Sequence, residues 1–360
     1  MSHTPERHLL TSLLIGIALT IAGCGDSGAP SGDAGSPNAD ATTGPARTKV
    51  VLQTDWYAQP EHGGFYHAKA NGYYRDAGLE VEIRPGANLT NIQQIVGMKR
   101  ADFAVGTSDN LMVAVSRGLP LVAVFPYFQH DPQCLMVHED SPVESVRDLE
   151  GREVMAQPSL GYIEYIQKEL GVQLQLLPMN YGLARFLNDE DFIQQCFLTS
   201  EPYYVREKGV AVRTIPLSTS GFDPYRLVYT YRDLVEERPD VVRAFAEASL
   251  KGWIDYLTTD RAATHAAIMA SNSEQTPDFM AWTVEAIRGN ELVTGQPESG
   301  DAFGRFDLSR LEEQAGQLDR LDLLDRPVDI EAVFPRAFLE TINVPDATAL
   351  TAPAATTALR

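Results

Sequence analysis

From residue 49 onwards, apolar positions switch repeatedly between the spacing of strands and the spacing of helices. The first strand is predicted over 50–56 and the first helix over 65–77, and Gly78 stands where a helix commonly ends. Further strands are predicted over 80–84, 102–105 and 121–125. Alternating strands and helices predict a mostly parallel, doubly wound α/β sheet, in which ligands bind at the carboxyl ends of the strands.

A second α/β block follows the first. Its strands are predicted over 135–137, 153–156 and 212–216, further strands or short elements over 174–177, 184–187 and 195–198, and its main helix over 159–169. Beyond a strand over 227–231 the chain becomes helical, with helices predicted over 239–258, 262–270, 277–289, 308–321 and 330–338. The pattern therefore predicts two α/β blocks and a helical region after them.

The N-terminus has the pattern of an export signal. Residues 9–22 are uncharged and mostly apolar, and this run is shorter than the roughly 20 residues that span a bilayer. The sequence Ile21-Ala22-Gly23-Cys24 resembles the bacterial lipobox. We therefore predict a lipoprotein signal peptide over 1–23, with lipid attached to Cys24. The alternative is an ordinary signal peptide with a chance cysteine. The sequence does not decide whether the lipid would anchor the protein in the inner or the outer membrane.

Two segments have compositions that do not support a packed core. Residues 24–48 are rich in Gly, Ser, Ala, Pro and Asp, and predict a flexible linker between the lipid anchor and the folded body. The Ala/Thr/Pro-rich residues 345–360 predict a disordered tail. The folded body is therefore expected over 49–344, which is long enough for two lobes.

Charge and missing motifs exclude several classes of function. The net charge of −20 argues against nucleic-acid binding. His62 and His67 are five residues apart without accompanying carboxylates, so we expect no metal site, and no P-loop, Gly-x-Ser-x-Gly or Cys-x-x-Cys motif is present. Cys134 and Cys196 could form a disulfide or remain two buried thiols; their number alone does not decide.

Residues 54–83 carry a long signature, TDWYAQPEHGGFYHAKANGYYRDAGLEVEI. It resembles the opening of the NMT1/THI5-like family, which includes periplasmic binding proteins for thiamine pyrimidine precursors; more distant relatives bind sulfonates, nitrate and riboflavin. The resemblance continues through shorter matches over most of 49–340, at 106–109, 149–154, 199–202, 243–245 and 252–253.

The resemblance implies a periplasmic-binding-protein fold of type II, with two doubly wound α/β lobes joined by a hinge. Lobe 1 would comprise 49–130 and 222–344, and lobe 2 would comprise 131–221. The protein would be a monomeric, lipid-anchored solute-binding component at the periplasmic face. It would capture a small heteroaromatic ligand and deliver it to an ABC permease and its ATPase, without catalysis and without a cofactor. A thiamine pyrimidine precursor is the first choice, and riboflavin is the closest alternative.

The loop after the first strand carries candidate ligand contacts. Asp55 could accept hydrogen bonds from an amino-substituted ring, and Trp56, Tyr57 and Tyr66 could stack on it. The alternative is that Trp56 packs in the core and Asp55 caps a loop.

His62, Gly63 and Gly64 precede the first helix. The glycines would let the backbone approach a ligand closely, and His62 could donate a hydrogen bond, although it could also be a simple loop histidine.

Two further helix starts are expected at the cleft. Thr107, Ser108 and Asp109 form a second junction between strand and helix, where capping is their ordinary role and does not exclude ligand contact. The resemblance places four residues of lobe 2 opposite them, namely Ser159, Gly161, Tyr162 and Glu201. Glu201 could instead be an acid in a surface salt bridge.

Three rival interpretations remain. The same family contains a pyrimidine synthase that consumes pyridoxal phosphate and its own histidine, and Lys69 and His62 lie near that segment; its cysteine-rich motif is absent here. A sulfonate or nitrate ligand would favour Arg or Lys in the candidate loops, which carry acids and aromatics instead. A sensor ectodomain cannot be separated from a transport component by sequence.

Overall fold

The computed structural model describes residues 47–86 and 91–350. The predicted signal peptide, Cys24, residues 24–46 of the linker and residues 351–360 of the tail lie outside the described residues. Residues 345–350 of the predicted tail include a short 3-10 turn, Thr348–Leu350. Among the described helices, none combines the length and the apolar composition needed to cross a membrane.

The strands of the described residues form two five-stranded sheets. The first has the order β2-β1-β3-β10-β4 and the second the order β7-β6-β8-β5-β9. In chain order the strands are β1 Thr48–Gln53, β2 Leu79–Arg84, β3 Phe103–Thr107, β4 Leu121–Phe128, β5 Gln133–His138, β6 Glu153–Ala156, β7 Gln175–Pro178, β8 Ile193–Phe197, β9 Val212–Pro216 and β10 Arg226–Tyr231.

One strand in each sheet runs against the others. β10 is antiparallel to both β3 and β4, and β5 is antiparallel to both β8 and β9, while β1 pairs in parallel with β2 and β3 and β6 pairs in parallel with β7 and β8. The antiparallel strand is in each case the first strand after the chain crosses from the other sheet. The predicted α/β class with mostly parallel sheets is confirmed.

Helices pack against these sheets and continue after the last strand. They are α1 Gly63–Ala70, α2 Tyr73–Asp76, α3 Ile92–Gly97, α4 Ser108–Ser116, α5 Gly161–Glu164, α6 Glu201–Glu207, α7 Arg232–Glu237, α8 Pro239–Thr258, α9 Ala262–Ser271, α10 Pro277–Gly289, α11 Leu308–Arg320, α12 Ile330–Val333 and α13 Arg336–Leu339. The helices predicted over 239–258 and 277–289 have the observed bounds. The one predicted over 330–338 is divided at Pro335, which cannot continue a helix from α12.

The first strand ends earlier than predicted. β1 stops at Gln53, and Thr54 leaves the sheet after donating its N–H to Arg84 O at 2.9 Å. The Thr54 hydroxyl then donates to Trp56 O at 2.9 Å, and Gly86 N donates to the same carbonyl at 2.9 Å. Asp55 and Trp56 therefore lie in a loop beyond the carboxyl end of β1, and not in the strand itself.

A disulfide joins Cys134 to Cys196, which answers the question that the sequence left open. The two residues face each other directly in the antiparallel pairing of β5 with β8, with their Cα atoms 4.9 Å apart. Both side chains are buried. Such a bond is typical of an oxidising compartment.

Candidate functional site

A buried arginine lies where the carboxyl ends of the first sheet's strands meet. Arg226 opens β10 and pairs in register with Thr107, the last residue of β3, and with Phe128, the last residue of β4. Its side chain is 7% exposed. Its guanidinium donates from NH2 to Asp55 Oδ2 and from Nε to Tyr127 OH at 3.0 Å. The sheet therefore places the positive charge of Arg226 at the cleft, where Asp55 and Tyr127 already accept its hydrogen bonds.

Asp55 is the main partner of that cation. Its other oxygen lies 3.0 Å from His62 Nε2, so both carboxylate oxygens are engaged. Burial raises the pKa of Asp55, but the charge of Arg226 and the His62 hydrogen bond outweigh it and hold the pKa well below its usual range. The structure brings the predicted residues Asp55 and His62 together, as an ion-paired unit with Arg226.

Four further acids surround this unit, and burial raises the pKa of each: Glu61, Asp109, Asp131 and Glu201. Against the opposing effect of Arg226, the pKa of Glu61 rises to about 8 and that of Asp131 to about 7. Burial therefore favours the protonated form of Glu61. The cleft therefore contains more carboxyl groups than cationic side chains, so it offers mainly hydrogen-bond acceptors.

Residues after β8 bring the second sheet to the same place. Thr199 donates its hydroxyl to Glu61 and accepts a hydrogen bond from Thr283 Oγ1 at its carbonyl, at 3.1 Å. Glu201 begins α6 and accepts from Phe197 N at 2.8 Å. The Phe197 ring lies 5.8 Å from the Arg226 guanidinium carbon. The carboxyl ends of strands from both sheets therefore face one cluster, as the predicted fold requires.

The starts of two helices also meet across the cleft. Asp109 is the second residue of α4, and Gly161 is the first residue of α5. A Cβ atom on Gly161 would lie 3.3 Å from Asp109 Oδ2 and 2.9 Å from the Phe222 ring. Asp109 is 6% exposed, and its Oδ1 atom has no hydrogen-bond partner. These two predicted residues therefore come together through Asp109 Oδ2, and the other oxygen of the same carboxyl group has no hydrogen-bond partner.

Aromatic side chains from both blocks lie near the mouth of this region. The Trp56 ring is half-buried, and its centroid lies 5.4 Å from Tyr57 and 5.6 Å from Tyr181. Tyr181 OH lies 3.4 Å from the Gln157 side-chain oxygen. Tyr162 is buried and donates its hydroxyl to Gln195 Oε1 at 3.0 Å. Half-buried Trp56 and exposed Tyr181 form an aromatic pair between the two blocks, and buried Tyr162 packs within the second block.

Other predicted residues have different surroundings. A Cβ on Gly63 would overlap the Tyr256 ring, and one on Gly64 would overlap the Trp253 ring, so both glycines permit the close packing of α1 on α8. Tyr66 packs with Ile268 and Met280 in a separate apolar cluster. For these three residues the contacts within the fold account for the residue type, and no ligand contact is needed to explain them.

The remaining predicted residues have local partners. Ser108 donates to Gln314 Oε1 at 2.6 Å and accepts from Tyr225 N at 3.0 Å. Thr107 stands at the N-cap of α4, but its hydroxyl accepts from the Asn110 side-chain amide at 2.8 Å and caps no backbone N–H. Ser159 is exposed and accepts from the Gln157 amide at 3.2 Å.

Sequence reasoning missed five residues of the cluster, namely Glu61, Tyr127, Asp131, Thr199 and Arg226. Three of them carried a signal. Arg226 is the only charged residue of its strand, RLVYTY, Glu61 lies inside the long signature, and Thr199 lies in the shorter match at 199–202. The pairing of Arg226 with Asp55 depends on the return of the chain from the second sheet, and no local pattern reveals it.

Comparison with known proteins finds one family, whose similar members include two binding proteins and pyrimidine phosphate synthases such as that of Legionella pneumophila, which is 25% identical over 222 residues, covering 57% of this chain and 68% of that protein. A family model described as NMT1/THI5 like matches residues 59–263. The chain is 24% identical over 296 residues to a formylaminopyrimidine-binding protein of Halalkalibacterium halodurans, covering 79% of this chain and 89% of that protein. It is 24% identical over 312 residues to a riboflavin-binding protein of Chloroflexus aurantiacus, covering 82% and 87%.

A solved structure supports the fold. The periplasmic aliphatic sulphonate binding protein of Escherichia coli superposes with a TM-score of 0.60 at 14% identity, over 81% of this chain and 92% of that one. The predicted periplasmic-binding-protein fold of type II is confirmed.

Proposed function

The chain belongs to the NMT1/THI5-like family, and from this premise we propose that it is the extracytoplasmic solute-binding component of an ABC importer. The proposed ligand is a small, amino-bearing heteroaromatic molecule, with a thiamine pyrimidine precursor as first choice. The observation that carries the ligand class is the cleft's excess of buried carboxyl groups around a single arginine that is already paired.

The pairing of Arg226 argues against an anionic ligand. Its guanidinium donates to Asp55 and Tyr127, and its NH1 atom lies 3.7 Å from Asp131 Oδ2. A sulfonate or nitrate would have to compete with these groups and would meet several nearby acids. The structural likeness to a sulphonate-binding protein therefore supports the fold without supporting that ligand.

The acids and aromatics suit a flat ring with amino groups. Carboxyl oxygens accept hydrogen bonds from ring amines, and the Trp56 and Tyr181 rings offer apolar faces at the cleft mouth. The formylaminopyrimidine-binding relative supports a pyrimidine, and the riboflavin-binding relative, equally similar to this chain, keeps riboflavin as the second candidate.

The synthase interpretation receives little support from Lys69. This residue lies in the last turn of α1 and is exposed. His62 is engaged with Asp55. A buried lysine beside a free histidine would favour that chemistry, and this arrangement differs from it.

The cellular setting is proposed from the sequence with support from the disulfide. Lipid on Cys24 would hold the protein at the periplasmic face, where Cys134 and Cys196 can remain oxidised. A permease and its ATPase would receive the ligand from a monomeric binding protein.

Thermal unfolding of the purified protein tests the proposal. The panel contains formylaminopyrimidine, thiamine, riboflavin, taurine and nitrate. A ligand at 100 times its dissociation constant stabilises the folded state by about 2.7 kcal/mol. Stabilisation by a pyrimidine supports the first choice, and stabilisation by riboflavin alone selects the second. Stabilisation by taurine or nitrate alone would keep the fold and overturn the ligand class.

A further inference from the structure

The carboxyl groups of the cleft differ in one respect, which is whether their oxygens have partners. Asp55 is bonded to Arg226 and His62. Glu61 accepts from Thr199 at one oxygen and from the Gln59 amide at the other, at 2.6 Å. Among residues 47–86 and 91–350, Asp109 Oδ1 is the only buried carboxylate oxygen that has no hydrogen-bond partner.

An unpartnered buried acceptor is costly unless something else satisfies it. Leaving such a group unpaired costs roughly 1–3 kcal/mol, and more if it is charged. Asp109 is 6% exposed, and burial raises its pKa. The other oxygen of the same carboxyl group, Oδ2, lies where the start of α4 faces the start of α5, so a ligand held between the two sheets would meet this carboxyl group.

We propose that Asp109 is the anchoring acceptor for an amidinium-type edge of the ligand, a protonated ring nitrogen beside an amino group. This inference rests on the proposed function and deepens it, because it assigns the ligand a positive charge when bound. A carboxylate accepts two parallel N–H bonds from such an edge, which is the strongest geometry that the group offers.

The charges around Asp109 favour a cation. The single charge of Arg226 is shared between Asp55 and Asp131, with the Asp131 oxygen 3.7 Å from its NH1 atom, so the acids outnumber the cation when Asp109 is included. A cationic ligand would compensate that excess. The proton on the ring nitrogen arrives with the ligand or comes from the Asp109 carboxyl group, so the bound pair is a cation and a carboxylate in both cases.

Gly161 lies beside Asp109, and its lack of a side chain determines how closely α5 can approach. A methyl group there would lie 3.3 Å from Asp109 Oδ2 and 2.9 Å from Phe222. Glycine therefore permits the start of α5 to approach Asp109 and Phe222 closely, and a larger residue would push them apart. A ligand edge that pairs with Asp109 would pass beside the backbone of residue 161.

The experiment compares wild type with Asp109→Asn, using calorimetry with formylaminopyrimidine and with an analogue in which hydrogen replaces the ring amino group. Asparagine has the same shape but one acceptor and one donor, so it mismatches a two-donor edge. We expect a loss of affinity of roughly 10- to 100-fold for the amino ligand. The variant should bind the analogue almost as wild type does. Asn110→Ala, an exposed neighbour on α4, is the matched control.

A second measurement separates ligand anchoring from a structural role. Because Asp109 Oδ1 has no partner, Asp109→Asn should unfold at the same temperature as wild type or a higher one. A lower unfolding temperature would show that Asp109 supports the fold, and would overturn the inference. Wild-type affinity in Asp109→Asn would overturn it while leaving the proposed function intact. If wild type binds riboflavin but no pyrimidine, the inference fails and the solute-binding function stands; if wild type binds no compound of the panel, both fail.

Discussion

Arg226 and Asp55 lie 171 residues apart in the sequence and form a buried ion pair at the centre of the cleft. Arg226 belongs to β10, and Asp55 belongs to the loop after β1. His62 and Tyr127 each bond one member of the pair from outside it. The pair therefore fixes the loop that carries Trp56 against the middle of the first sheet.

Asp55→Asn should destabilise the protein strongly. The substitution leaves the Arg226 charge buried without its main partner, and removing one member of a buried pair costs about 3–5 kcal/mol. Chemical denaturation measures the loss of stability: the midpoint denaturant concentration should fall, while the dependence of the unfolding free energy on denaturant stays unchanged.

The exposed pair of Arg84 with Glu82, at 2.7 Å, offers a control of similar geometry. Glu82→Gln should leave the unfolding midpoint almost unchanged, because solvent screens the pair. Equal losses in Asp55→Asn and Glu82→Gln would show that burial does not give the central pair its importance.

Loss of the disulfide should also lower stability. Cys134 and Cys196 connect the two strands that lead to Asp131 and to Thr199. Replacing both cysteines by serine should cost about 2–4 kcal/mol. A reductant should lower the unfolding temperature of wild type and have no effect on the double variant. An unaltered wild-type unfolding temperature after confirmed reduction would contradict the prediction.

The sequence predicts the sheets and the main helices well, because strand and helix periods are local. It also predicts that Asp55 and Asp109 lie at one edge, since residues at the ends of parallel strands share an edge in this fold class, and the family resemblance predicts Gly161. Contact of these residues with a ligand stays a prediction. It does not reveal Arg226 or Asp131, which lie beside the two connections between the sheets. Their partners are set by the antiparallel insertion of β10 and β5, and this depends on contacts between distant segments.

The glycines of α1 mislead for a related reason. Gly63 and Gly64 stand before an expected helix, where close approach of a ligand is a reasonable interpretation. The structure shows α8 in that space, with Tyr256 and Trp253 against the two glycines. Sequence spacing cannot tell which neighbour approaches a glycine.

Gly64→Ala should therefore destabilise the protein by about 1–3 kcal/mol, because the added methyl group overpacks the contact with Trp253. Gly289→Ala is the control, since a Cβ at that position of α10 meets no atom within 4 Å. Thermal unfolding of both variants measures the difference. A neutral Gly64→Ala would mean that α1 and α8 separate easily, contrary to the packing described.

A charged cluster joins the connection between β4 and β5 to the C-terminal helices. His130 Nδ1 lies 2.6 Å from Asp223 Oδ2, and His130 Nε2 lies 3.2 Å from Asp301 Oδ2. Arg310 bonds the same two acids, at 2.8 Å and 3.3 Å, and Asp131 N donates to Asp223 Oδ1 at 3.1 Å. When His130 is protonated, the positive charges of His130 and Arg310 balance the negative charges of Asp223 and Asp301.

Stability should depend on pH through His130. Burial lowers the pKa of His130, but Asp223 and Asp301 outweigh it and raise the pKa above its ordinary value. The histidine therefore contributes stability that is complete below its unfolded pKa, about 6.5, and is lost as the pH rises through the folded value. The stability difference between wild type and His130→Gln should shrink over that range, measured by denaturation from pH 5 to 9. His265→Gln is the control, because burial lowers the pKa of His265 and the slope should have the opposite sign. If the stability difference between wild type and His130→Gln stays constant with pH, the two acids do not stabilise the protonated form of His130, which would contradict the prediction.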